Sequence, residues 1–328
     1  MKKSHSIKIA LGVGVSLVLL GWLAFAANWS QVAAELNHIN YWYLMPVTVV
    51  LFVHLWLRAF RWRYLLSGGE DVPVMTLFES FMIGNFATYV LPLRAGEFLR
   101  PAALTFLTGL PFSKGFASVV IERFFDLATV LVTFAIVAGS LTGLPPWVAQ
   151  GAYSLGVIAL MILVFIVSGA LLPQFTTRIV RTGCSFIPSS IRNRIQSFLI
   201  SFIESAGVLR GAKSLVIVLA LTGIVWWTNY LFYQLSFPLC GLEGSLWHGA
   251  VVGVVLALAV AAPSAPGFVG VYQTACLAVF TLFGLSVEQA MAYAIVTHAY
   301  QFIVVLLLGF LTLAKHNISL STLKTQKA

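Results

Sequence analysis

Six stretches of this chain, residues 7–26, 41–60, 116–139, 151–172, 214–238 and 291–314, run with few charges for the ~20 residues that a helix needs to cross a bilayer. In hydrocarbon every backbone N–H and C=O must find a partner within the protein, which an α-helix achieves on its own. Hydrophobic residues make up 60% of the sequence and charged residues 9%, too little polar surface to clothe a water-soluble fold of 328 residues. The expected class is an all-α polytopic membrane protein, a single transmembrane domain over 1–328. The first run ends in Ala24-Phe25-Ala26, a cleavage-like pattern, but its length and the following Trp29 favour an uncleaved helix.

The basic residues orient these spans. Lys2, Lys3 and Lys8 lie at the first, Arg58, Arg61 and Arg63 end the second, and Lys114 precedes the third. Arg178, Arg181, Arg192, Arg194, Arg210 and Lys213 fill the link between the fourth and fifth; Lys315, Lys324 and Lys327 follow the last. The intervening loops 27–40, 140–150 and 239–248 hold no Lys or Arg, so the positive-inside rule puts both termini in the cytoplasm. The net charge of +9 is spread over short loops instead of forming one stripe, which points to anionic lipid and away from nucleic acid. Residues 191–209 carry Ile191, Ile195, Phe198, Phe202 and Ala206 on one helical face and are expected to lie along the surface. Cys184, Cys240 and Cys276 fall at different depths, which suggests no disulfide framework, metal set or cofactor.

Two further apolar regions must return to the side they enter from. Residues 74–110 lie between cytoplasmic bases and are broken at Pro92 and Gly96; residues 249–289 lie between outward loops and are broken at Pro263, Pro266, Gly267 and Gly270. Proline and glycine interrupt the helical ladder, and the freed backbone groups must be buried away from lipid. The expectation is about six full spans plus two broken, re-entrant hairpins entering from opposite faces. Laid about 175 positions apart, the breaks, the Gly109-Leu110 and Gly284-Leu285 links and the following helices align, with Glu122-Arg123-Phe124-Phe125-Asp126 over Thr297-His298-Ala299-Tyr300-Gln301. Units 74–139 and 249–314 are therefore candidate inverted repeats, a construction that places transport sites at broken helices near the midplane.

Charge inside these segments is concentrated at Arg94, Glu97, Arg100, Glu122, Arg123 and Asp126. A lone ion at the bilayer centre costs about 2.5–3.5 kcal/mol on insertion scales, so mutual pairing is expected, and three bases balance three acids. Such a cluster can be a structural brace, or a site where arginine exchanges a carboxylate for a phosphate that it binds with the same fork. His298, aligned with Arg123, is either a packing residue or a carrier of a coupling proton. His54 reads as a packing residue, and Glu79 and Asn85 are candidates to join the cluster.

The run Pro92-Leu93-Arg94-Ala95-Gly96-Glu97-Phe98-Leu99-Arg100, then Glu122-Arg123-Phe124-Phe125-Asp126, then Pro263-Ser264-Ala265-Pro266-Gly267-Phe268-Val269-Gly270, resembles the lysylphosphatidylglycerol synthase transmembrane-domain, or flippase-like, family. The resemblance implies a bundle of about eight membrane segments in a bacterial or archaeal cytoplasmic membrane, which in fused synthases moves a modified lipid between leaflets. The short stretch after Lys315 leaves no room for a soluble synthase domain, so synthase activity is not expected. Translocation of a phospholipid, glycolipid or polyprenyl-phosphate lipid is the leading function. A membrane-embedded transferase using Glu122 and Asp126 as base, and a non-transporting partner of a lipid-modifying enzyme, are the alternatives.

Overall fold

A computed structural model describes residues 2–66, 72–140, 146–185, 192, 195–196, 199–200, 212–261 and 264–325, and among these every regular element is helical. Pro263 and most of the 191–209 segment lie outside the described residues. The chain begins with α1 (Lys2–Ala26) and α2 (Trp29–Leu36), which meet at an angle of 88°. Asn28 makes the corner by capping α2, its Oδ1 accepting the N–H groups of Ser30 and Gln31. α3 (Leu44–Leu65) follows a capped turn at Tyr41–Tyr43.

The first broken region forms α4 (Val74–Val90), a tight turn at Pro92–Arg94, and α5 (Gly96–Thr108). Leu91, which precedes a proline, is extended (φ −101°, ψ 145°), and this stops α4. The helices then fold back against each other, and glycine makes the close approach possible: a Cβ on Gly96 would lie 1.9 Å from the Gly84 carbonyl oxygen. Gly84 in turn leaves room for the root of the Arg100 side chain.

Next come α6 (Phe112–Ser140), α7 (Pro146–Leu171), α8 (Pro173–Cys184) and α9 (Ala212–Leu239). The second broken region forms α10 (Leu246–Ala261), a turn at Pro266–Phe268 and α11 (Val271–Leu282); α12 (Val287–Lys315) and the short α13 (Leu320–Thr325) close the chain. Among the described residues four helical segments, Tyr41–Leu65, Tyr153–Leu171, Lys213–Leu239 and Val287–Lys315, are long and apolar enough to cross a membrane, and the bent α1–α2 pair is a fifth candidate. Of the six expected spans, the one within α6 is long enough, at ~1.5 Å for each of 29 residues, but it carries Glu122, Arg123 and Asp126 in its middle.

The packing brings the two breaks together. The Pro92–Arg94 turn touches the Pro266–Phe268 turn, and Tyr89 meets Phe268 edge-on at 5.7 Å. Around them α4 packs on α12 and α10 on α6, α3 packs on α4 and α6, and α9 packs on α10 and α12. After α12 the chain turns at Asn317 (φ 52°) and buries Ile318 and Leu323 against Ile83, Leu99 and Ala103 of the first hairpin.

Candidate functional site

Glu122, on α6, is the hub of a buried ion cluster. Its Oε1 lies 3.4 Å from Arg58 Nη2, 3.1 Å from Arg61 Nη2 and 3.0 Å from Arg123 Nη2, while Oε2 lies 2.8 Å from Arg100 Nη2. The Arg100 contact is short but poorly angled for a hydrogen bond, so it joins the two groups by charge. One turn further along α6, Asp126 accepts from Arg61 Nη1 at 2.8 Å and from the Trp226 indole at 3.2 Å. Thr222 accepts from the same Arg61 nitrogen. Glu97 stands at the edge, 3.7 Å from Arg123 Nε. Arg100 is sandwiched by aromatic rings, 3.8 Å from the Trp62 centroid and 4.9 Å from Phe81, and Arg58 lies 4.7 Å over Phe81.

Two members were assigned elsewhere by sequence. Arg58 and Arg61 read as bases marking the cytoplasmic end of the second span, whereas they turn inward to α6, and the Arg61 side chain is completely buried. Among the described residues, four arginines therefore pair with Glu97, Glu122 and Asp126 and a fifth, Arg94, stands beside them, not a balanced three against three. A signal was present: Arg58 is spaced seven and three residues after Leu51 and Leu55 and four before Trp62, all on one buried helical face. Glu79 does not join the cluster. It pairs with Lys315 and His316 at the end of α12, because the start of α4 faces that helix.

Two adjoining cavity lobes of about 200 and 300 Å³ open beside these ions, and Arg58, Arg94 and Arg123 line both. Glu97, Arg100 and Asn85 line the first and Asp126 the second, while Glu122 sits behind the wall. Arg94 makes no ion pair with a described residue: its guanidinium lies 5.8 Å from the Phe268 ring centroid and its buried Nε has no partner. Its backbone is left-handed, φ 53°, a conformation that costs a non-glycine residue about 1–3 kcal/mol and is held by its surroundings. Asn229 and Gln301 face the same lobes, and Asn229 Oδ1 is a buried acceptor without a donor.

The second break, by contrast, is closed by neutral hydrogen bonds. His298 Nε2 lies 2.7 Å from the Gly267 carbonyl and must carry the ring proton, while Nδ1 lies 3.1 Å from Gln273 Nε2. The Gln273 amide is oriented by its Oε1, which accepts the Gly270 N–H at 2.9 Å. Tyr272 stacks on the imidazole, and Ser16 of α1 accepts the Ala265 N–H. Pro266 opens this turn; Gly267 (φ 68°) and Gly270 (φ 87°) supply its left-handed positions. His54 is likewise engaged, its Nδ1 lying 3.1 Å from both Val225 O and Thr228 Oγ1. Among the described residues no group of His, Cys, Asp and Glu is arranged to hold a metal ion.

Comparison with known proteins agrees with the placement of these ions in a membrane domain. A glycosyltransferase of Haloferax volcanii, AglD, is 24% identical over 364 aligned positions, which cover 99% of this chain and 57% of that protein. The chain thus spans little more than half the length of that relative, and no solved structure matches it. The profile of the lysylphosphatidylglycerol synthase TM region matches residues 9–309, nearly the whole length, and the chain belongs to that family.

Proposed function

We propose that this protein moves an anionic lipid between the leaflets of a cytoplasmic membrane, holding the headgroup in the arginine-lined cavity. The observation that carries the reading is the surplus of arginine at a cavity within the helical bundle. Guanidinium does not lose its proton in a protein, so the surplus stays charged, and an incoming anion offsets a cost of about 2.5–3.5 kcal/mol per uncompensated ion. Phosphate suits the planar fork as well as carboxylate does.

The crossed packing, α4 on α12 and α10 on α6, supports units 74–139 and 249–314 as inverted repeats around this cavity. Both termini are assigned to the cytoplasm from the basic residues. The three native cysteines are buried, so single cysteines placed at Gln150 and Asn317, both exposed, report sidedness with little background. Labelling of both from outside would overturn the topology. His298 is assigned a bracing role instead of proton coupling, since a second ring proton would face the Gln273 NH2 group.

The name of the Haloferax volcanii relative favours a second reading, a lipid-modifying transferase or its partner subunit. The carboxylates weigh against a base at this site, because Glu122 and Asp126 are both bound to arginine. Purified protein in liposomes with a fluorescent anionic phospholipid separates these readings. Accelerated exchange between leaflets is expected; a chemically altered lipid without exchange favours the transferase, and neither favours the partner.

A further inference from the structure

From the pairing pattern we infer that the cavity takes a doubly charged phosphate, a terminal phosphomonoester or diphosphate, in preference to a singly charged phosphodiester. This rests on the reading of the cavity as an anion site. Arg61 pairs with Asp126 and Arg100 with Glu122, while Arg123 reaches all three acids, Glu122 at 3.0 Å, Asp126 at 3.6 Å and Glu97 at 3.7 Å; matched one charge to one, these three arginines use all three acids. Arg58 and Arg94 are left over. The nearest carboxylate oxygen to Arg58 is Glu122 Oε1, at 3.4 Å, already shared by Arg61 and Arg123. Arg94 lies over an aromatic face and has no ion pair with a described residue, Glu97 acting on it from beyond ion-pair distance. Both line the same lobes as Arg123, whose Nε, like that of Arg94, has no hydrogen bond.

A phosphodiester brings one charge and leaves one arginine unmatched. A terminal phosphate brings about −1.5 to −2 at pH 7 and three strong acceptor oxygens, which three guanidinium forks can share. Its second proton returns with a pKa near 6, whereas the arginines stay charged throughout, so the preference should vanish in acid. The other charged or titratable groups facing the cavity are His54 on α3, Tyr89 on α4, Glu97 and Arg100 on α5, Asp126 on α6, Tyr233 on α9 and Tyr272 on α11. They act on either ligand, so a diester of equal chain length corrects for them.

The test is binding of phosphatidic acid and of phosphatidylglycerol with identical acyl chains to the purified full chain, read by the fluorescence of tryptophans such as Trp62 and Trp226. At pH 7.5 phosphatidic acid should bind at least about tenfold more tightly, and at pH 5 the advantage should shrink to about twofold. Equal affinities at pH 7.5, or an undiminished advantage at pH 5, would overturn the double charge while leaving the anion site standing. Failure of both lipids to bind would overturn the site itself. Inorganic phosphate distinguishes the source: competition only at far higher concentration supports a lipid, and affinity equal to that of phosphatidic acid keeps the double charge but removes the lipid. Arg94→Gln, which breaks no ion pair, should retain the thermal midpoint and lose most of the preference; a folded variant with undiminished preference would also defeat the inference.

Discussion

The two broken hairpins use the same backbone device for different ends. Each reverses through a proline-led turn that holds a non-glycine residue in the left-handed region, Arg94 at φ 53° in the first and Phe268 at φ 61° in the second, and these two side chains meet. The first break is surrounded by ions, the second by neutral hydrogen bonds through His298, Gln273 and Ser16. Where the aligned helices carry Glu122, Arg123 and Asp126 on one side, they carry Thr297, His298 and Gln301 on the other. Backbone geometry alone therefore does not require charge at a break. On the proposed function the charged half is where ligand chemistry would reside, while the neutral half holds the same backbone turn with hydrogen bonds alone.

The largest expected effect tests the hub of that contrast. Glu122→Gln leaves several guanidinium groups around a neutral amide and should cost about 3–5 kcal/mol, seen as a large fall in the thermal midpoint in detergent. Its aligned counterpart Thr297→Val removes a hydrogen-bonded hydroxyl and should cost about 1–3 kcal/mol. Similar falls for the two variants would erase the difference between the halves.

Next comes the backbone. Gly96→Ala drives a Cβ into the Gly84 carbonyl, which cannot swing aside, and should destabilise by about 3 kcal/mol or more. Gly267→Ala meets the edge of the Phe302 ring, which can rotate, so its cost should be nearer the ~1–2 kcal/mol of a left-handed alanine. Chemical denaturation of the two variants in parallel gives the order, and a reversed order would place the tighter turn in the second hairpin.

The smaller effects concern transport. Arg123→Lys keeps the charge but loses the fork, and should slow lipid exchange about tenfold, equivalent to ~1.4 kcal/mol, with the fold retained. If stability and exchange fall together, Arg123 is a brace. His298→Gln retains an amide donor toward Gly267 and should leave the exchange rate within about twofold, independent of an imposed proton gradient. A collapse of exchange in this variant would return His298 to a proton-carrying role.

The membrane class and the two breaks were legible because apolar length, proline and glycine act locally. The ion cluster was only partly legible. Arg94, Glu97, Arg100, Glu122, Arg123 and Asp126 could be found as charges within apolar sequence, but Arg58 and Arg61 sit near the end of α3, where bases ordinarily mark topology. The spacing of Arg58 with Leu51, Leu55 and Trp62 marks its face of α3, but that α6 and α9 meet this helix is a long-range fact that local pattern does not encode. Glu79 gives the converse case: alone in an apolar segment, it resembled a cluster member, yet its partners are Lys315 and His316, more than two hundred residues away.

The two leftover arginines also have an electrical meaning. On the proposed function they make the empty site a cation of charge two within the transmembrane field, and a doubly charged phosphate would make the occupied site silent. Moving two charges through about a tenth of a membrane held at 100 mV is worth ~0.5 kcal/mol. With the cytoplasm negative, that bias draws the empty site inward and does nothing to the loaded one. Transient currents recorded without lipid, and abolished by a saturating phosphomonoester, would be its signature. The resting voltage of the cell would then reset the carrier after each delivery, with no coupling ion carried back.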